Sequence, residues 1–444
     1  MSVTLLATEW LPLTPVQQDF WEEFTLHPHQ PFSIVAHFTR LQGEVNVTAL
    51  RDAINCTLDE TTAFTVRFAE AFPQHQPALQ LCPQAKPRLQ FIDLKSHQQP
   101  VQSAMTLMQK DVAEPRDLRH PTHSACWLIA IGSDDYIWYL RTHHILIDGF
   151  GMALIEHRCA TLYRHLLTQR DAGQPLGCYR AFQQAEQAYL ISGRLIKDRS
   201  FWLHYLAAAF PLPCVWKGGD NYGKRAFTTH HCFPDALSSA LWHRSQTLAL
   251  SWPDVLLSLS AAWLYFTLPH VTIGEPFVMW MPALNRRTPA ATDVPALAVN
   301  TVPFVVTLSA ETTLDNFLNE MAHQLRKLRR HASYRLRQLG SDVGLNDQQR
   351  LFISPYINIQ PFEDPTFHGC CSSRCVLAGG CGDGINLTLR SRSDASALQL
   401  DMEIYQQQCA PIQNAETLVA RFHHFLHHAL QPLVGEQAVI DLLA

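Results

Sequence analysis

Arg141-Thr142-His143-His144-Ile145-Leu146-Ile147-Asp148-Gly149-Phe150-Gly151 is the stretch from which the chain can be read. Cys126 to Ile131 and Tyr136 to His144 carry strand signals around Gly132-Ser133-Asp134-Asp135, which predicts an antiparallel pair. Beyond Gly151, Met152, Ile155, Cys159, Leu162 and Leu166 recur at steps of three and four, the period of an amphipathic helix. The two histidines and the aspartate therefore sit at a strand–loop–helix junction.

Histidine exchanges protons near neutral pH, because its ordinary pKa is about 6.5. Side chains alternate along a strand, so His143 and His144 must face opposite sides, and only one of them can act directly on a substrate. Both could also be packed, hydrogen-bonded residues in a chain that has 23 histidines. Asp148-Gly149 likewise admits a bland reading, a turn in which Asp148 caps the helix that starts near Gly151.

A chain of 444 residues exceeds one ordinary core and fits two large α/β lobes. With 47% hydrophobic and 16% charged residues it can bury a substantial interior, which argues against disorder. Lys and Arg total 34 against 39 Asp and Glu, with no basic stripe, so nucleic acid is not an expected partner. Met1 to Leu13 has neither a basic n-region nor a small-residue cleavage site, an expectation of a cytoplasmic chain. Val255 to Leu268 is shorter than the roughly 20 residues a membrane span needs, and Ser258 and Ser260 interrupt it. It reads as a buried helix, with no membrane span expected.

Two clusters invite a metal reading. Cys370, Cys371, Cys375 and Cys381 lack the paired C-x2-C spacing of structural zinc sites, so free thiols are expected. His423, His424, His427 and His428 have no acidic third ligand among them and read as a solvated helix face. No metal site is expected.

Thr14 and Pro15 mark a helix start. Strands are expected at Phe32 to Arg40 and Phe64 to Phe68, with a helix at Asn46 to Leu58 between them. Asp171-Ala172-Gly173-Gln174-Pro175 breaks the pattern and divides the chain into lobes at residues 1–174 and 175–444. The second lobe should contain helices at Pro253 to Leu268, Leu314 to Arg330 and Ala415 to Leu430. Its strands are expected at Phe277 to Leu284, Asn300 to Leu308, Leu351 to Gln360, Ile385 to Arg392 and Leu398 to Tyr405.

HHILIDG resembles the HHxxxDG signature of the condensation domains of nonribosomal peptide synthetases, which belong with the chloramphenicol acetyltransferase-like acyltransferases. Other landmarks follow in order along nearly the whole chain. Pro15 to Trp21 is similar to the family's opening helix motif, Phe64 to Phe68 to its L-R-T-x-F strand, and Val299-Asn300-Thr301 to its F-V-N-T. Arg329 to Leu339 corresponds loosely to a later helix motif. Leu284-Asn285-Arg286, Ser354 to Ile359, and Asp148 to Met152, where Gly151 replaces the more usual Ser, are similar to a free-standing member from siderophore assembly.

The resemblance implies an α/β fold of two acetyltransferase-like lobes, a V-shaped pseudo-dimer with a central tunnel. It assigns His144 as the catalytic residue, with His143, Asp148, Gly149 and Arg286 in support. Asp148 would pair with Arg286 from the second lobe, Gly149 would leave room for a phosphopantetheine arm, and Asn358 would face the tunnel. No cofactor is expected to be bound, the acyl group arriving instead on a carrier protein's phosphopantetheine. Gly379-Gly380-Cys381-Gly382 lacks the serine of a carrier motif, and no adenylation segment is recognised, so an aryl carrier protein in trans is expected. The implied reaction joins a 2,3-dihydroxybenzoyl group to a small free amine or polyamine. His143 argues against the cyclising branch, which carries aspartate there. The rival readings are a coenzyme A-dependent acyltransferase and a non-catalytic module that only recruits carrier proteins.

Overall fold

Thr14 accepts a hydrogen bond from the Gln17 amide while the Gln17 side chain returns to the Thr14 backbone, a capping box that starts the Pro15–Leu26 helix. Asn46 caps Val47–Glu60 by accepting from Ala49. Such local signals seed the elements of a computed structural model that describes residues 10–71, 76–120, 123–219, 227–380, 382–405 and 415–443.

The chain forms two compact units, and neither is one continuous stretch. The first runs through Ser192 and adds Arg286–Val299 and Asp364–Cys381; the second comprises Gly193–Asn285, Asn300–Glu363 and Gly382–Ala444. A single division after Gln174 therefore does not describe them. The reason is burial: Tyr179 and Phe182, then Ala291, Val294, Ala296 and Ala298, then Phe367 all place apolar side chains in the first unit's core.

In the first unit a five-stranded sheet runs in the order Cys370–Gly379, Ile34–Gly43, Asp135–His143, Ala125–Ala130, Leu89–Asp93. Neighbours are antiparallel except the last pair, which is parallel. On one face the Val47–Glu60 and Gly149–Thr168 helices bring Leu50, Ile54, Ile155 and Cys159 against Val35, Leu128 and Leu140. On the other, the Pro100–Ala113 helix sets Ala104 and Met108 against Ile34, Ile129, Ile137 and Tyr139. The strand that ends at His143 is thus the middle strand, covered on both faces, and its end is held firmly.

The second unit has a six-stranded sheet in the order Asn300–Val306, Phe277–Ala283, Tyr356–Pro361, Ile385–Ser391, Gln399–Ile404, Phe227–Cys232. The Trp252–Thr267 helix is buried on all sides in its core. No single helix among the described residues is long and apolar enough to cross a membrane. The Leu314–Arg330 helix buries Leu314, Phe317, Leu318, Met321, Leu325 and Leu328 and ends in Lys327, Arg329 and Arg330, which suit the negative end of its dipole.

Three elements differ from expectation. Thr62–Thr65 is a 3-10 turn, and the strand begins only at Val66. The Leu351 to Gln360 segment divides into Gln349–Leu351 and Tyr356–Pro361, because Pro355 lies between them and has no amide to donate. Cys370–Gly379, read above only as a thiol cluster, is a strand paired with Ile34–Gly43 from Cys370 opposite Gly43 to Gly379 opposite Val35. Its serines, cysteines and glycine carry too little apolar alternation to reveal it.

Candidate active site

Arg141 anchors the motif strand from within: its Nε donates to Asp111 Oδ2 at 2.9 Å and its guanidinium to the His123 carbonyl at 2.5 Å. The Tyr139 hydroxyl donates to the same carboxylate at 2.8 Å. Two residues on, alternation separates the histidines. His143 is buried, its Nδ1 accepting the Ile145 amide at 3.1 Å, and burial drives its pKa well below the ordinary value. His144 is half-buried on the other side.

His144 is held by groups from three elements. Its backbone amide donates to the Ser33 carbonyl at 2.7 Å, and its ring lies stacked on Phe20, 5.7 Å between centroids at 15°. Nε2 stands 3.2 Å from the Gly379 carbonyl oxygen. A carbonyl can only accept, so this contact places the proton on Nε2. Nδ1 is buried and makes no hydrogen bond among the described residues. Burial lowers the His144 pKa, while the Gly379 carbonyl, the Asp148 carboxylate and the Ile147 carbonyl oppose that shift less strongly. The imidazole is therefore neutral at pH 7, the form that can take a proton from an amine.

The loop after His144 is pinned by its own apolar residues, Ile145, Leu146 and Ile147 being fully buried. Gln17 Nε2 donates to the Ile145 carbonyl at 3.0 Å, so the opening helix holds the motif loop directly. Asp148 Oδ1 accepts the Gly151 amide at 2.7 Å as helix cap and also accepts Arg286 at 2.8 Å. Its Oδ2 accepts the amides of Ala298 and Val299, each at 2.9 Å. Arg286 in turn donates to the carbonyls of Ala291, Val294 and Ala296. Both side chains are buried, at 5% and 3% exposure. The cap and the ion pair are thus the same residue, and because Arg286 belongs to the first unit the pair closes within it rather than coming from a second lobe.

Gly149 and Gly151 differ in kind. A Cβ at Gly149 would meet nothing within 4 Å, and its φ is not positive, so neither packing nor a turn demands glycine there. A Cβ at Gly151 would lie 2.6 Å from Ile147 Cγ2 and 3.2 Å from the Ala296 amide nitrogen. Gly151→Ala should accordingly cost about 1–3 kcal/mol in urea denaturation, whereas Gly149→Ala should unfold at the wild-type midpoint or slightly above it.

Asn358 lies in the second unit, on the Tyr356–Pro361 strand opposite Thr388, and its side-chain amide makes no hydrogen bond among the described residues. Cys370, Cys371 and Cys375 lie on one strand and form no disulfide among the described residues; Cys381 lies outside them. His423 and His428 are half-buried, and His424 and His427 are exposed. No group of three or more His, Cys, Asp or Glu among the described residues is placed to hold a metal ion.

His123, behind Arg141, is 2% exposed, and burial lowers its pKa to about 4. An unfolded histidine titrates near 6.5, so between these values the unfolded chain binds more protons and stability drops as the pH is lowered. The His123 contribution is whole above about 6.5, and roughly 2 kcal/mol of it is gone by pH 5. Urea midpoints at pH 7.5 and pH 5 should differ for the wild type, and differ less for His123→Phe.

Residues 7–368 match the family described as Condensation domain. The fold and the HHILIDG site together define an amide-bond-forming acyltransferase of the two-lobe, chloramphenicol acetyltransferase-like class. The chain belongs to the condensation-domain family. It is similar to VibH, a condensation enzyme of nonribosomal peptide synthesis, at 30% identity and a TM-score of 0.82 over 97% of this chain and 99% of that one. The first condensation domain of the calcium-dependent antibiotic synthetase, at 23% identity and a TM-score of 0.83, shares the fold over 98% of both chains. Among curated proteins it is 29% identical over 397 residues to a dimodular nonribosomal peptide synthase of Bacillus subtilis (strain 168), and 25% over 364 residues to enterobactin synthase component F of Escherichia coli O157:H7. Those matches cover 88% and 80% of this chain but only 16% and 27% of the relatives' own lengths.

Proposed function

We propose that the chain joins an aryl acyl group, 2,3-dihydroxybenzoyl, to a small free amine or polyamine in cytoplasmic siderophore assembly, taking it from the phosphopantetheine thioester of an aryl carrier protein supplied in trans. The observation that carries this reading is His144: a neutral, half-buried imidazole at the end of a central strand, stacked on Phe20 and backed by the Asp148–Arg286 pair. The choice of acyl group and acceptor is supported by likeness to VibH over nearly the full length of both chains and to an enterobactin synthase component.

The chemistry asks little more of the protein than placement and one proton path. The amine nitrogen attacks the thioester carbon, the C–N bond forms, the C–S bond breaks, and the amine proton ends on the departing thiol. His144 either accepts that proton or aligns the amine for attack. Nδ1 is buried, so a reactant engages the ring at Nε2 by displacing the Gly379 carbonyl from it. Acting as a base through Nε2 requires the resting proton to move from that nitrogen to Nδ1.

Gly149 is the position at which an arm would pass, because the space at its Cα is open. Gly149→Val is therefore expected to raise KM for acyl-carrier protein by about tenfold, for a loss of roughly 1.4 kcal/mol of binding, with the amine KM unchanged. Asn358→Ala should do the reverse and raise the amine KM.

The decisive experiment loads an aryl carrier protein with 2,3-dihydroxybenzoate and screens a panel of amines and polyamines by mass spectrometry. An amide product from the carrier thioester supports the proposal. Product only from 2,3-dihydroxybenzoyl-coenzyme A would replace it with the coenzyme A-dependent reading, and carrier binding without product would replace it with a recruitment role.

A further inference from the structure

The first unit buries a second charged cluster that the mechanism above does not use. Glu156, two turns along the helix that Asp148 caps, is 2% exposed. Its Oε1 meets His37 Nδ1 at 3.0 Å and its Oε2 meets Arg374 at 3.4 Å. Arg374 is 8% exposed at its side chain, and its Nε lies 3.4 Å from Asp364. His37 comes from the Ile34–Gly43 strand, Arg374 from Cys370–Gly379 and Glu156 from Gly149–Thr168. One carboxylate thus ties two strands to the motif helix.

A buried ionic cluster is not the most stabilising way to fill such space, since apolar side chains of similar volume often do as well or better. What the cluster supplies is a fixed relation between elements, and the place where that relation matters is the end of the Cys370–Gly379 strand. Pairing with Ile34–Gly43 is regular through Arg374 opposite Thr39 and Val376 opposite His37, then slips by a residue before Ala378. Past that irregularity come Gly379, whose carbonyl meets His144 Nε2, and Gly380, at φ +92°, where a Cβ would stand 3.0 Å from His144 Cδ2. Pairing resumes at Ala378 opposite Ala36 and Gly379 opposite Val35, so the strand end that touches the imidazole lies just past a register irregularity, and Arg374 is the last charged side-chain anchor before it.

We propose that Arg374, clamped by Glu156, is a positioning residue for His144: it fixes the strand end so that the Gly379 carbonyl covers Nε2 and Gly380 closes the ring's flank. The proposal rests on His144 being the catalytic residue, and it makes the covering contact a property of the Arg374–Glu156 clamp. The titratable groups facing His144 are His143 on its own strand, His37 on the neighbouring strand and Asp148 at the helix cap. Those facing Arg374 are Glu156 and Asp364.

The test compares wild type with Arg374→Met, Arg374→Lys and Glu156→Gln. The first readout needs no substrate: the rate at which diethyl pyrocarbonate modifies His144, localised by tandem mass spectrometry, in protein shown to be folded by its urea midpoint. Freed from its cover, the ring should react at least about threefold faster in Arg374→Met and Glu156→Gln, with Arg374→Lys nearer wild type. The second readout is the pH profile of kcat, whose acid limb should shift in the same two variants as the ring's burial and its Gly379 contact change, while kcat falls about tenfold through misplacement and KM changes less. If Arg374→Met does not fold, Glu156→Gln, which keeps the side chain's shape, carries the test. Wild-type modification rates and an unmoved acid limb in a folded variant would overturn the proposal. The modification rate stands even where no amide product forms, so failure of the proposed reaction and failure of the clamp are told apart.

Discussion

Asp148→Ala is expected to destabilise the protein by about 3–5 kcal/mol, the range for removing one partner of a buried ion pair, and to lower soluble yield and activity together. The carboxylate accepts four hydrogen bonds, from Gly151, Arg286, Ala298 and Val299, and it is 2% exposed. Alanine would leave the Arg286 guanidinium buried with carbonyl partners but no counter-charge, and would remove the cap that starts the Gly149–Thr168 helix, itself worth about 1 kcal/mol. Urea denaturation gives the cost directly. In a double-mutant cycle with Arg286→Met, the double variant should be less destabilised than the sum of the singles, because the stranded charge is gone. A soluble Asp148→Ala protein with full activity would mean that the pair does not hold the site.

His144→Ala should behave in the opposite way, with turnover falling by about 10²–10⁴ and the urea midpoint nearly unchanged. The side chain is half-buried, and it contributes a stacking contact with Phe20 and one long hydrogen bond to Gly379. Its removal costs little packing but takes away the imidazole at the loop's open side, since His143 is turned into the interior. His143→Ala is the matching control: it empties a buried site and frees the Ile145 amide, so its effect should register first in stability. Because burial lowers the His144 pKa, the acid limb of wild-type kcat should lie below the usual histidine value near 6.5. Wild-type turnover by His144→Ala in a carrier-protein assay would remove the assignment.

Much of this site is legible in one dimension because its parts lie close in the chain. The strand–loop–helix junction follows from two periodicities meeting at His144, and the opposite facing of the two histidines follows from strand alternation alone. The helix cap at Asp148 is likewise local chemistry. The residues that the sequence hides are those that reach the site across long separations: Ser33, Phe20 and Gln17 from the N-terminal elements, and Gly379 and Gly380 from a strand more than 200 residues away. The capping box at Thr14 and Gln17 is visible in the sequence, but nothing local shows that the same glutamine side chain also binds the Ile145 carbonyl. Gly149 and Gly151 look alike on paper and differ only in what surrounds their Cα atoms.

By itself the sequence determined the α/β character, most helices and central strands, the family to which HHILIDG belongs, and the candidate catalytic histidine. These rest on periodicity, capping and a contiguous motif, which are properties of neighbouring residues. Tertiary structure decided where the units divide, that Arg286 and Asp148 pair inside one of them, and which groups surround the His144 ring. The physical reason is that burial pays no regard to chain order: Arg286–Val299 and Asp364–Cys381 join the first unit because their apolar side chains complete its core, and they bring the arginine and the Gly379 carbonyl with them.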